Sequence, residues 1–200
     1  MVLNKYRSAV DGILTKLAKP FMRVHPNTIT LVSLFFAFLA GFSFYLTYIT
    51  PSFLFLAFAS IIIAALLDAI DGKVARIKHI SSPRGDFLDH LVDRYADMFI
   101  IIGIGFSIYS TPLFALLALS GVFMTSYVGT QAQAVGLKRL YGGLMGRADR
   151  LVILIILPIL QFFWWGYYFS VSTWVLILFA VLGHFTAIQR TFYAWKAIPF

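Results

Sequence analysis

Four aspartates, Asp68, Asp71, Asp89 and Asp93, are the residues of this sequence best placed to do chemistry. The stretch from Leu67 to Asp93, LDAIDGKVARIKHISSPRGDFLDHLVD, holds five of the eight acidic residues in a chain of 200. Asp68 and Asp71 stand at i, i+3 and Asp89 and Asp93 at i, i+4, so each pair occupies one face of its own helix. Both helical segments run into apolar stretches, Phe53 to Leu67 before the first pair and Met98 to Phe106 after the second. Carboxylates at the edge of such stretches are costly unless a partner neutralises them. With oxygen ligands only and no cysteine, hard divalent ions such as Mg²⁺ or Mn²⁺ are the natural partners. Two facing pairs make a two-metal site able to grip a diphosphate. The small residues between the pairs fit this chemistry. Gly72 and Gly85 let a phosphate or a neighbouring backbone approach, Ala75 is small, and Arg76 can take phosphate in bidentate fashion.

The elements that position these residues are membrane spans. A content of 60% hydrophobic and 12% charged residues, with a mean hydropathy of +0.87, describes an integral membrane protein of one domain, residues 1–200. Six apolar spans can be drawn within 29–193: Ile29 to Ile49, Ser52 to Lys73, Arg84 to Ser107, Pro112 to Val135, Arg150 to Trp165 and Val171 to Tyr193. The fold class is therefore all-α, with six transmembrane helices. Before them, Met1 to Arg23 alternates apolar and basic residues at helical spacing. It reads as an amphipathic helix lying on the membrane surface, without the apolar core of a cleavable signal. His25-Pro26-Asn27-Thr28 is a helix-start signal, with Asn27 or Thr28 as the expected cap. Asp86 is a second candidate cap, after Pro83.

Lysine and arginine cluster in the N-terminal segment, around Lys73 to Arg94, between Lys138 and Arg150, and at Arg190 and Lys196, whereas the alternate turns carry none. The positive-inside rule then puts both termini and the aspartates on the cytoplasmic side of the cell membrane. A net charge of +8 confined to one membrane face suits anionic headgroups and phosphorylated substrates, and nucleic acid is not an expected partner. No internal repeat is visible. Zero cysteines exclude disulfides and thiolate catalysis. Trp164, Trp165, Tyr167 and Tyr168 read as an interfacial belt on the outer face.

The pattern Asp68-x2-Asp71-Gly72-x2-Ala75-Arg76-x8-Gly85-x3-Asp89-x3-Asp93 resembles the signature of the CDP-alcohol phosphatidyltransferases at all eight specified positions. The resemblance implies that Asp68, Asp71 and Asp89 are metal ligands, with Asp89 serving both of two divalent cations. It implies that Asp93 lies near the acceptor hydroxyl, as general base and possible metal contact. Gly72, Ala75, Arg76 and Gly85 would line the CDP pocket, and a homodimer is the expected assembly. The implied reaction moves a phosphatidyl-type group from a CDP-lipid to an alcohol and releases CMP.

A second basic cluster, KRLYGGLMGRADR with Arg190 in the last span, resembles the branch that uses inositol phosphate. In that branch arginines at the places of Arg147, Arg150 and Arg190 bind the acceptor phosphate. Ser126-Tyr127-Val128-Gly129-Thr130-Gln131 departs from that branch, having Gly129 and Gln131 where a basic residue is usual, so a glycerol-phosphate acceptor stays open. Lys138, Arg139 and Lys196 read as ordinary positive-inside charge, and His79, His90 and His184 as structural. Asp86 and Asp97 continue the 89, 93 face and could accept hydrogen bonds behind the ligands. A cation transporter with intramembrane carboxylates is the rival from another class. It predicts acidic groups spread through the membrane depth, whereas here they gather at one face.

Overall fold

The computed structural model describes residues 3–140, 142–164 and 170–198, with side chains from residue 11 onward. Seven α-helices account for the described chain, among which no strand occurs: α1 Leu3–Ala18, α2 Pro26–Tyr45, α3 Phe53–Ile77, α4 Pro83–Gly105, α5 Pro112–Ala134, α6 Arg147–Phe163 and α7 Val171–Ala197. The belt residues Trp165, Tyr167 and Tyr168, and the side chains of the first half of α1, lie outside the described residues. Trp164 is exposed.

Each helix that opens at the aspartate end begins on local chemistry. Pro26 sits in the first turn of α2, and His25 Nδ1 accepts a hydrogen bond from the Asn27 backbone N–H at 3.2 Å. The cap is thus His25, not Asn27 or Thr28. The helix starts earlier than expected because proline needs no intrahelical partner for its nitrogen. Likewise Ser82, not Asp86, caps α4: its Oγ accepts from the Gly85 N–H at 3.2 Å, and Asp86 sits in the first turn, where a carboxylate favours the helix N-terminus. Between them α3 ends in a left-handed residue, His79, with φ 55°. The Ile80 N–H reaches the Ala75 carbonyl at 3.1 Å and the His79 N–H reaches Arg76 at 3.2 Å, so the chain reverses tightly into α4.

Helices α2, α3, α5 and α7 are long and apolar enough to cross a membrane, α2 together with the 3₁₀ turn Leu46–Tyr48 that follows it. Two of the six expected spans fall short of that measure. Helix α4 carries charged residues through its first half, and α6 has 17 residues. Large apolar side chains face outward around the bundle, including Phe35, Leu116, Val181 and Ile188, each at least half exposed. A surface of this kind belongs against hydrocarbon.

The helices form a closed ring. Helix α2 lies between α3 and α4, α4 meets α5, α5 pairs with α7, and α6 completes the circuit between α7 and α3. Two of these contacts are backbone to backbone. A Cβ at Gly103 would land on the Gly41 backbone, and one at Gly183 would land on Gly121. Small residues let the helices close in this way, with Ala37, Ala40 and Gly41 buried along α2. Gly103→Val should therefore prise α2 from α4 and cost at least ~1–3 kcal/mol, the usual penalty of overpacking. Thermal unfolding in detergent checks it, with Gly12→Ala as control, since a Cβ there meets nothing within 4 Å. An unchanged midpoint for Gly103→Val would refute the close crossing.

Candidate functional site

The two aspartate pairs converge at one end of the ring. Asp68 and Asp71 come from the last turns of α3, and Asp89 and Asp93 from the first half of α4. All four are near enough to act on one another: the charges of Asp68 and Asp89 bear on both Asp71 and Asp93. Asp71 and Asp93 are buried, at 5% and 4% exposure, whereas Asp68 and Asp89 are half-buried.

Cationic side chains reach this cluster from α6 and α4. Arg147 holds Asp68 with two parallel bonds, Nη1 to Oδ2 at 3.2 Å and Nη2 to Oδ1 at 3.1 Å, and Nη2 also contacts Asp93 Oδ1. Arg94 Nη2 stands 3.6 Å from Asp93 Oδ2. Two guanidiniums thus face four carboxylates in a largely buried place, so acidic groups outnumber the cations beside them. That surplus of hard oxygen donors fits divalent cations.

A cavity of about 280 Å³ opens beside the carboxylates, lined by Asp68, Asp71 and Asp89 together with Gly72, Ala75 and Gly85. A Cβ at Gly72 would meet nothing within 4 Å, so this face of α3 is open space. Arg76 is exposed and outside the lining; its Nε donates to the Gly72 carbonyl at 3.0 Å. The other wall comes from residues that spacing did not single out for chemistry. Asn27 and Thr30 of α2 line the cavity, and Thr30 Oγ1 donates a hydrogen bond to Asp71 Oδ2. The signal is a threonine one turn beyond a helix-start proline, among Asn27, Thr28 and Ser33 at the head of an apolar run. His90 was read as structural, yet one of its ring nitrogens lies within 4.8 Å of carboxylate oxygens of both Asp89 and Asp93.

The remaining arginines sit deeper. Arg150 is 3% exposed, and its Nη2 donates to Asp97 Oδ2 at 2.9 Å, while its Nε has no hydrogen-bond partner. Arg190 donates from Nε to the Gly142 carbonyl and from Nη1 to the Thr125 carbonyl, each at 2.8 Å. Arg94, Arg139 and Arg150 are near enough for their charges to act on Arg190. Asp86 is exposed and turned to His90 at 3.5 Å. His184 shares a hydrogen bond with Ser120 at 3.1 Å, away from the aspartates.

A helical membrane protein with a carboxylate cluster at one end of its ring, cationic groups around it and a cavity beside it has the form of an enzyme acting on charged substrates at the membrane surface. Residues 23–186 match the family model described as CDP-alcohol phosphatidyltransferase, and the chain belongs to that family. It is thus a transferase of phospholipid biosynthesis. It is 30% identical over 199 residues to an archaetidylinositol phosphate synthase of Pyrococcus horikoshii, covering 98% of both chains. An archaetidylinositol phosphate synthase of Methanothermobacter thermautotrophicus is 33% identical over 135 residues, 68% of this chain and 67% of that one. The fold is also that of Mycobacterium tuberculosis phosphatidylinositol phosphate synthase solved with CDP-DAG bound, at TM-score 0.77 and 24% identity over 92% of this chain and 94% of that one. The same enzyme solved with manganese and citrate gives 0.76 at 23% identity, over 92% and 89% of the two chains.

Proposed function

We propose that this enzyme transfers a phosphatidyl-type group from a CDP-lipid, CDP-diacylglycerol or CDP-archaeol, to a hydroxyl of inositol phosphate, releasing CMP. The observation that carries the reading is the convergence of Asp68, Asp71, Asp89 and Asp93 beside a cavity whose glycines leave room for a diphosphate. Relatives named for inositol phosphate products support the acceptor. Gly72, Ala75 and Gly85 admit the CDP moiety, with Arg76 swinging onto its phosphates. Asp68, Asp71 and Asp89, with Asp93 as a further contact, would hold two divalent cations, Mg²⁺ or Mn²⁺, which when bound neutralise the charge of the diphosphate. A structure of the same fold solved with manganese supports a divalent cation.

Asp93 takes the proton of the acceptor hydroxyl as its oxygen bonds to the lipid-side phosphorus. The bond from that phosphorus to the bridging oxygen breaks, and CMP leaves with the electron pair. Arg147, poised against Asp93, and the buried Arg150 and Arg190 would take the acceptor phosphate. Several guanidiniums drawn together away from water favour a bound anion. The same reading has six spans in the cell membrane, α1 on its surface, and both termini and the site facing the cytoplasm. A homodimer, the assembly implied by the family, completes it.

Glycerol phosphate is the second reading, favoured by Gly129. A Cβ there would lie 2.9 Å from the Leu140 carbonyl oxygen and 3.1 Å from Arg190 Nη1, leaving little room for a basic side chain. Radiolabelled CDP-lipid offered in parallel with inositol phosphate, glycerol phosphate, serine and free inositol decides between them. Labelled lipid product is expected with inositol phosphate. Faster conversion of glycerol phosphate would install the second reading, and turnover of free inositol at the same rate would remove the role of the arginines.

A further inference from the structure

Of the four clustered aspartates, Asp71 is the one held by a neutral side chain. Asp68 and Asp93 lie against Arg147, Asp93 also faces Arg94, and Asp89 Oδ2 stands 4.0 Å from His90 Nδ1. Among the described residues no lysine, arginine or histidine pairs with Asp71 in this way. Its side-chain hydrogen bond comes from Thr30 Oγ1, on another helix.

Thr30 is brought there by the packing of α2 on α3. Ile29 is buried in one apolar cluster with Leu67, Ile70 and Val74, which adjoin Asp68 and Asp71 on α3. The same turn of α2 is fixed by the His25 cap on the Asn27 N–H, and by Ser33, whose Oγ donates to the Thr30 carbonyl at 2.7 Å. Thr30 is itself buried. Its hydroxyl has one proton and two acceptors within reach, Asp71 Oδ2 and the Pro26 carbonyl at 3.1 Å. The Pro26 carbonyl, four residues back, is the ordinary acceptor for the Thr30 backbone N–H, whereas a carboxylate is the stronger acceptor. The proton therefore goes to Asp71.

We propose that Thr30 is a positioning residue for the metal site: by donating to Asp71 Oδ2 it fixes the rotamer of that carboxylate and the direction in which its remaining lone pairs are offered to a cation. An arginine or lysine in the same place would offset the charge that a divalent ion needs and compete for the same oxygens. A hydroxyl orients the carboxylate and leaves its charge in place. Thr30 and Asp71 both line the diphosphate cavity, so the α2 wall acts on a ligand carried by the α3 wall. The inference rests on the reading of Asp71 as a ligand.

The test uses the metal alone, without lipid, acceptor or turnover. Mn²⁺ is titrated into the full chain in detergent and the free ion is read by electron paramagnetic resonance. Thr30→Val keeps the shape and loses the hydroxyl, and should weaken Mn²⁺ binding roughly 10- to 100-fold, the usual effect of losing a group that orients a ligand. Thr30→Ala, which opens space instead of filling it, should give a similar loss, and Thr30→Ser should recover most of the affinity. In an Asp71→Asn background Thr30→Val should have little further effect, because the hydroxyl then has no carboxylate to orient. Wild-type affinity in both hydroxyl-free variants would overturn the role. Equal losses with and without Asp71, unrepaired by serine, would also overturn it, since they would mark a general loosening of α2. So would weaker retention of CDP at unchanged Mn²⁺ affinity, which would make the hydroxyl a direct contact of the nucleotide. No Mn²⁺ binding by the wild-type chain would remove the metal site itself, whereas the variant outcomes bear on Thr30 alone.

Discussion

Asp93→Asn is expected to lower CMP release from a CDP-lipid by roughly 10²- to 10⁴-fold, the range that a positioned general base contributes. The substitution keeps the shape of a side chain that is 4% exposed, so packing against its neighbours on α4 should survive. What it removes is the charge that Arg147 and Arg94 both contact. The same exchange at Asp71 provides the contrast. Asp71 lines the cavity and is held by Thr30, so it has the environment of a ligand, and its loss should be offset in part by raising Mg²⁺ or Mn²⁺. Rescue by metal should fail for Asp93→Asn if the lost function is proton transfer. If excess Mn²⁺ restores Asp93→Asn, Asp93 is a ligand and the base lies elsewhere. Wild-type turnover would remove it from the mechanism altogether.

The sequence made some of this site legible and hid the rest for physical reasons. Asp68 with Asp71, and Asp89 with Asp93, stand out because helical periodicity turns spacing into a shared face, and because a carboxylate at the edge of an apolar run needs a cause. The helices themselves follow from apolar length and from Pro26, Pro83 and Pro112 at their starts. Which helices meet is a long-range property with no local mark. The contacts of Gly41 with Gly103 and of Gly121 with Gly183 fix much of the ring, yet each glycine alone reads as one small residue among others. The contribution of α2 was hidden in the same way, since Thr30 acquires its meaning only when α3 brings Asp71 against it, 41 residues later. His25 was hidden as a cap because Asn27 and Thr28, residue types that cap more often, stand beside it, and Ser82 because a carboxylate in the first turn, Asp86, also suits a helix N-terminus.

The buried pair of Arg150 and Asp97, 53 residues apart, separates a structural role from a substrate role. Arg150→Ala leaves the Asp97 carboxylate, 8% exposed, without its hydrogen-bonded cation and with only the charges of Arg94 and Arg147 still acting on it, and breaking a buried pair in this way costs up to ~3–5 kcal/mol. For a chain of this size the unfolding midpoint should fall by roughly 10 °C. Lost activity in that variant would by itself say little about the acceptor. Arg150→Met combined with Asp97→Leu removes both charges and keeps the volume, and replacement of a buried ion pair by apolar groups is often neutral or better. The double variant should recover most of the lost thermal stability. If Arg150 also takes the acceptor phosphate, KM for inositol phosphate will stay raised in the recovered protein while CDP-lipid binding is intact, since no other group replaces its guanidinium. Recovery of both stability and acceptor KM would make Arg150 a strut of the fold and leave Arg147 and Arg190 to hold the phosphate.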